Sequence, residues 1–251
     1  MSLQTLTLAP KFPTKKSLNV KNKHLRLNIL FTACAIGFIQ HASATELSYE
    51  HQYEDVSKDN VDEIELSHKF DSGFKLAGTL KFKPHEQANG DSGKAFHDDR
   101  WHESKISASY SIQLNDHWQL TPGVSWSRKQ NAYKYKPSLK LKTAITDDTH
   151  ASIRYRKEIT DASGKETKKV DRIDLGVSHK IEDVTLGYTY TYYHGNQNLF
   201  DKKRNDYQHE IEAAYKLTKT FSPYIAVKNE SVSSKTDQRQ TEFDIGFTLK
   251  I

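Results

Sequence analysis

Cysteine is all but missing from this sequence, with one residue, Cys34, in 251. A chain so poor in thiols has no route to a disulfide framework or a thiolate metal site. Long apolar runs are missing as well. The only sustained one, Leu27 to Ile39, is shorter than the roughly 20 residues a membrane-crossing helix requires. A mean hydropathy of −0.78 likewise excludes a helical membrane protein. Neither a glycine-rich phosphate loop nor a nucleic-acid module is present, and no amphipathic helix of useful length interrupts the chain. Acidic residues are absent before Glu46.

That last absence has a meaning. Lys11, Lys15, Lys16, Lys21, Lys23 and Arg26 precede the apolar run, and Ala42-Ser43-Ala44 follows it. A basic stretch, a short apolar core and a small-residue site make a secretory signal peptide, here expected over residues 1–44 with cleavage after Ala44. Cys34 would leave with it. Of the 37 basic residues, six lie in the leader, so the mature chain keeps 31 against 32 acids and a net charge near −1. The sequence pI of about 9.0 therefore belongs to the leader and argues for no nucleic-acid partner.

What the mature chain does have is alternation. From Tyr133 to Lys142 the odd positions are Tyr133, Tyr135, Pro137, Leu139 and Leu141, and the even ones are lysine or serine. Successive side chains of a strand point to opposite faces, so this strand has a greasy face and a basic one. About a dozen similar segments follow one another, among them Leu47–Tyr53, 64–70, 74–82, 106–114, 118–126, 153–159, 173–181, 184–192, 207–217, 223–227 and 243–251. Short connections at 71–73, 115–117, 182–183 and about 218–221 alternate with longer polar ones at about 84–100, 160–171, 195–206 and 231–240. Aromatic residues gather near strand ends, with Phe70, Phe74, Trp118 and Phe221 at one end and Tyr133 and Tyr192 at the other.

The fold class expected is all-β, a transmembrane antiparallel β-barrel of about 12 strands spanning 45–251, with short periplasmic turns and longer extracellular loops. A soluble sandwich would need a continuous apolar core, whereas the second face here is almost wholly Lys, Glu, Ser, Thr and Gln. A closed barrel solves this by turning greasy faces to lipid and polar faces to a wet lumen, with every backbone group paired. The closing segment Asp244 to Ile251 resembles the C-terminal signal by which the outer-membrane assembly machinery recognises its clients.

Parity maps the lumen. Lys75, Lys81, Lys83, Lys105, Lys129, Lys134, Lys136, Lys140, Lys142, Arg154 and Arg156 are expected to point inward, with Glu103 and Glu158 among them. Glu50, Glu54, Glu63, Glu65, Glu210, Glu212, Glu230, Glu242 and Asp244 are expected inward on the remaining strands. The result is a basic wall opposite an acidic one. A row of cations suits an elongated polyanion, because each replaces lost hydration at a carboxylate while weak contacts permit release. Lysine is a less selective carboxylate ligand than arginine. A wet lumen lined with charge merely to stay hydrated is the bland alternative.

Short motifs in order then carry a family likeness. Pro122-Gly123, Tyr135-Lys136-Pro137, Thr146-Asp147-Asp148 followed by Ile153-Arg154-Tyr155-Arg156, Pro223-Tyr224-Ile225-Ala226-Val227 and Thr236 to Thr241 resemble the oligogalacturonate-specific porins (KdgM-type). The resemblance implies a monomeric twelve-stranded outer-membrane channel for acidic oligosaccharides. It places Lys136, Arg154 and Arg156 among lumen residues that handle carboxylates, and Arg239 near the outer mouth. Arg172 joins the expected pathway. Glu50, Glu242 and Asp244 depart from the pattern, since such porins often place arginine or neutral residues there.

Other readings are a general small-solute porin and an outer-membrane barrel enzyme. His51, His68, His179 and His209 have outward parity, but no serine–histidine pairing is evident, and interfacial packing is the expected role. No catalytic residue, cofactor or metal is expected; His97-Asp98-Asp99-Arg100-Trp101-His102 reads as an exposed loop. Expected partners are acidic oligosaccharides, outer-membrane lipid and lipopolysaccharide, and the assembly machinery, with no nucleic acid.

Overall fold

Side-chain alternation translates directly into extended backbone. The computed structural model describes residues 45–87 and 92–251, so the expected leader over residues 1–44 lies outside the described residues. The strands are β1 (Thr45–Glu54), β2 (Asn60–Lys69), β3 (Phe74–Pro84), β4 (Asp99–Tyr110), β5 (Ile112–Gln113), β6 (Trp118–Lys129), β7 (Ala132–Ala144), β8 (Thr149–Ala162), β9 (Lys168–Ile181), β10 (Val184–Gly195), β11 (Asn205–Tyr215), β12 (Phe221–Ser231) and β13 (Arg239–Lys250). Apart from β4 and β5, successive strands pair antiparallel. β1 also pairs with β13, and β4 with β6, so the sheet closes on itself. β5 continues β4 past the end of β3 in the same register, as Ser109↔Gly123 and Ile112↔Leu120 show. The ring therefore has twelve staves, and closure leaves no open edge.

Burial is the reverse of a soluble protein's. Ile106, Leu139, Ile153, Leu175, Ile211, Ile225 and Ile245 are exposed on the outer face, whereas Thr79, Asp174, Thr191, Glu242 and Asp244 are buried. Among the described residues the buried hydrophobics are only Val61, Ala77, Val170 and Ala226. An apolar exterior without an apolar interior is stable when lipid covers the outside.

Connections at one end span 70–73, 114–117, 145–148, 182–183 and 216–220. At the other they span 55–59, 85–98, 130–131, 163–167, 196–204 and 232–238. Both ends of the ring lie with the first group, where the Ile251 amide donates to the Thr45 carbonyl at 2.9 Å. The turn at 70–73 needs Gly73, whose φ is +88° and where a Cβ would fall 2.8 Å from the Ser111 carbonyl oxygen.

The strands run further into the expected long loops than alternation indicates. The connection expected over about 160–171 narrows to 163–167, because Thr160 still pairs with Lys168. Ladder hydrogen bonds need no apolar side chain, so the hydropathy pattern ends before the strand does. Likewise β4 begins at Asp99, inside the loop expected over 84–100. Its register with β3 shifts from Lys81↔Glu103 to Phe82↔Trp101, leaving His102 as the extra residue of a bulge and breaking the parity that would have revealed the strand.

Rings gather near both ends of the staves. Phe70 stacks on Phe74 at 5.9 Å, Phe221 lies 5.4 Å from Phe247, and Trp126 stacks on Tyr133 at 5.8 Å. The outward histidines meet neighbouring strands: His68 reaches the Thr45 hydroxyl (2.9 Å), His179 the Thr149 hydroxyl (2.9 Å) and His209 the Tyr188 hydroxyl (2.8 Å). His51 instead contacts Asp62 at 3.0 Å, which also accepts from the Tyr49 hydroxyl at 2.6 Å. Phe96 covers this outward-parity carboxylate cluster, its ring 4.6 Å from that of His51.

Candidate functional site

The lumen is built rung by rung from strand register. On β7 the inward residues are Lys134, Lys136, Ser138, Lys140 and Lys142. Their neighbours on β6 are Ser127, Ser125, Gly123, Thr121 and Gln119, none of them charged. On the other side Lys140 faces Arg154 and Ser138 faces Arg156 on β8, which in turn face Asp174 and Arg172 on β9. Pro137 lacks an N–H, and the β7–β8 pairing skips it and Lys136 without any change of register.

Acids stitch much of this arc. Asp174 is the principal clamp: Arg154 Nε and Arg172 Nε each lie 2.6 Å from one of its oxygens, and the Thr191 hydroxyl donates at 2.9 Å. Glu158 takes looser contacts from Arg156 (3.6 Å), Lys136 (3.9 Å) and Arg172 (3.9 Å). Glu103 meets Lys129 at 3.4 Å, and Glu63 is bound by Lys81 and, at 3.5 Å, by Lys105. Arg172 also lies 5.2 Å from the centre of the Tyr193 ring, within cation–π range. Lys134, Lys140 and Lys142 are left over, with no carboxylate within 4 Å among the described residues.

The acidic arc has its own order. Glu50 accepts from Gln52 at 2.6 Å and from the Tyr224 hydroxyl at 2.7 Å. Lys228 sits between Glu242 (2.6 Å) and Asp244 (2.7 Å), whose carboxylate side chain is fully buried. Nearer the long-loop end, Gln240 donates to Glu54 at 2.7 Å and to Glu230 at 3.1 Å. Glu65 receives Lys105 at 3.5 Å and the Thr79 hydroxyl at 2.8 Å. Glu210 and Glu212 have no cation within 4 Å among the described residues.

Strand order puts β7 six staves from β13, so the lysine strand stands opposite Glu242 and Asp244. The expected arcs are thus both inward, but their borders are ion-paired, and the free charges are fewer than parity alone implies.

Arg239 is placed differently from the other expected pathway residues. It opens β13 at the long-loop end, but its guanidinium donates to Asn229 Oδ1 (2.6 Å), the Asn229 carbonyl (2.9 Å) and the Tyr207 carbonyl (2.7 Å). It also lies 4.0 Å from the Tyr207 ring centre. The pairing of β11 with β12 stops at His209↔Asn229, and Arg239 occupies the gap beyond it. Odd parity on β13 is the outward face, which is why this arginine holds the rim instead of lining the lumen.

Asp174, Tyr193 and Tyr224 were not singled out by sequence. Inward parity beside Ile173 and Leu175 would have found Asp174. Tyr224 needs knowledge of its partner strand, where Gly246 leaves room for the ring.

Twelve closed staves, greasy outside and charged within, define an outer-membrane β-barrel channel. The chain belongs to the oligogalacturonate-specific porin (KdgM) family, whose model matches residues 38–250. The oligogalacturonate-specific porin KdgM of Dickeya dadantii is 28% identical over 233 residues, covering 88% of this chain and 98% of that protein. The N-acetylneuraminic acid outer membrane channel protein NanC of Escherichia coli is 26% identical over 168 residues, covering 59% of this chain and 67% of that one. Among solved structures, a NanC porin superposes with a TM-score of 0.68 at 21% identity, covering 82% of this chain and 100% of that one. A KdgM porin gives 0.64 at 22%, covering 82% and 99%. These share the fold.

Proposed function

We propose that this porin passes short acidic oligosaccharides by passive diffusion along the β7–β9 wall, as its family relatives' names suggest for them. The observation that carries this is the row Lys134, Lys140 and Lys142, inward on one strand and free of carboxylate partners among the described residues. Residues two apart on a strand are roughly 7 Å apart, so the row offers successive stations to a chain of carboxylates. An ammonium is a compact, strongly hydrated charge that binds a carboxylate weakly and releases it readily. Lys81, Lys136, Arg154, Arg156 and Arg172 sustain the positive potential around the row, while Asp174 and Glu158 keep their guanidiniums from trapping cargo.

The reading extends to surroundings. Residues 1–44 act as a cleaved leader, supported by their composition. The outward Ile and Leu band and the rim aromatics meet lipid and lipopolysaccharide. Alternating Phe243, Ile245, Phe247 and Leu249 suit recognition by the assembly machinery. One chain closes the ring, which supports a monomer.

Planar-bilayer recordings test the pathway. Anion selectivity, weakened by Lys140→Glu with Arg154→Glu, and current block by oligogalacturonate are expected. Cation selectivity untouched by those changes overturns the reading. Equal liposome permeation of neutral and acidic oligosaccharides of one length would favour a general small-solute pore.

A further inference from the structure

Lys140 and Lys142 on one side, and Glu210 and Glu212 on the other, border a single recess of about 230 Å³ in the lumen wall. None of the four has an opposite charge within 4 Å among the described residues. Register shows how they come to share it. One rung runs Lys142, Ser152, Gly176, Thr189, Glu210 across five consecutive strands, and the next carries Gly187 beside Glu212. The two ends carry opposite charge and the middle carries small side chains. A Cβ on Gly187 would meet nothing nearer than the Glu212 Cβ at 3.8 Å, so the floor is open. These rungs lie towards the short-turn end, at the inner half of the passage.

We propose that this recess is a binding station for a zwitterionic sugar, a short oligosaccharide bearing both a carboxylate and an ammonium group. The inference rests on the proposed function in taking the lysine row as the anion track. A carboxylate on the ligand approaches Lys140 and Lys142 while its ammonium approaches Glu210 and Glu212. A purely anionic ligand gains the first contact and is repelled by the two glutamates. A neutral sugar gains neither. Only a ligand with both charges satisfies both borders, and the separation of four strand spacings, about 19 Å along the backbone before side chains reach inward, suits a disaccharide better than a single amino acid. The contacts are charge-assisted but wet, which favours brief residence over tight capture.

The test uses single channels in planar bilayers with a hexosamine–uronic acid disaccharide, its amine either free or N-acetylated, and oligogalacturonate as the reference. Both disaccharides keep the carboxylate, and only the free amine is zwitterionic. The free-amine form should block at roughly tenfold lower concentration, about the worth of one charge-assisted contact. Glu210→Gln with Glu212→Gln should erase that difference while leaving oligogalacturonate block intact or longer. Gly187→Leu should erase it too, by filling the floor with the four charges in place; a heat-modifiable band on gels checks that each variant folds. Equal block by the two disaccharides, with oligogalacturonate still blocking, overturns the zwitterion station and spares the anion track. Block by the free amine alone, without any by oligogalacturonate, does the reverse. No block by any of them removes both.

Discussion

Gly246 and Tyr224 face each other across the β12–β13 ladder so closely that a Cβ on the glycine would fall 2.6 Å from the tyrosine's Cζ and hydroxyl oxygen. The same Cβ would lie 2.5 Å from the Tyr49 carbonyl oxygen, part of the backbone of the adjoining strand. The missing side chain lets the Tyr224 ring lie against the wall and present its hydroxyl to Glu50.

Gly246→Ala should therefore destabilise the barrel by about 1–3 kcal/mol, the usual cost of overpacking, since a backbone oxygen cannot rotate away. Gly187→Ala, whose new Cβ would make only an ordinary contact with the Glu212 Cβ at 3.8 Å, should be close to neutral. Urea unfolding in detergent micelles, followed by gel mobility, compares the two; equal midpoints would contradict the steric account.

Asp174→Asn should raise anion selectivity and lower stability together. It weakens the shared anchor of Arg154 and Arg172, both of which then add free positive charge to the lumen. Weakening two charge-assisted hydrogen bonds at this buried position should cost about 1–3 kcal/mol. Reversal potentials and unfolding midpoints measured on one preparation check the coupling.

Arg239→Lys should loosen the outer rim and leave selectivity unchanged. Lysine cannot span the carbonyls of Tyr207 and Asn229 in the planar manner of a guanidinium. Faster amide exchange over 205–208 and 229–232 is expected, with an unaltered reversal potential. A changed potential would return this residue to the pathway.

Asp59, in the 55–59 connection, gives the long-loop end a dependence on pH. Burial pushes its carboxyl up, but hydrogen bonds from Lys83 (2.5 Å) and Ser92 (2.9 Å) and the lysine charge outweigh that and hold it below the usual range. A depressed folded-state value means the contact is fully present above the ordinary carboxylate range and is lost as pH falls through the lower folded value. Proteolytic nicking of 85–98 should stay flat from neutral pH down to about 5 and rise only below about 4. Lys83→Met should make nicking rapid at every pH.

The sequence made the architecture readable because lipid and water sort side chains by parity, and parity survives in a one-dimensional text. Twelve staves, both arcs and the position of the lysine strand follow from it. Where the alternation is broken, by the bulge at His102, or where polar residues continue a ladder, as at Thr160 and Asp161, the strand ends were invisible. Ion pairs were invisible for a different reason. Asp174 and Arg154 are 20 residues apart, and only register makes them neighbours. Arg239 looked like a pore arginine because its motif lies at the mouth, while its odd position on β13 turns it outward.

The pairing of β1 with β13 joins Glu46 to Lys250 and Leu47 to Leu249, whereas the other ladders connect successive staves. Ten of the twelve seams can be sewn as hairpins before the last strand exists. The other two, β12–β13 and β1–β13, must wait for the last strand, and until then the hems of β1 and β12, with apolar faces, stand open to any partner. Damage confined to that closing seam should thus delay the birth of the channel far more than it alters the finished one.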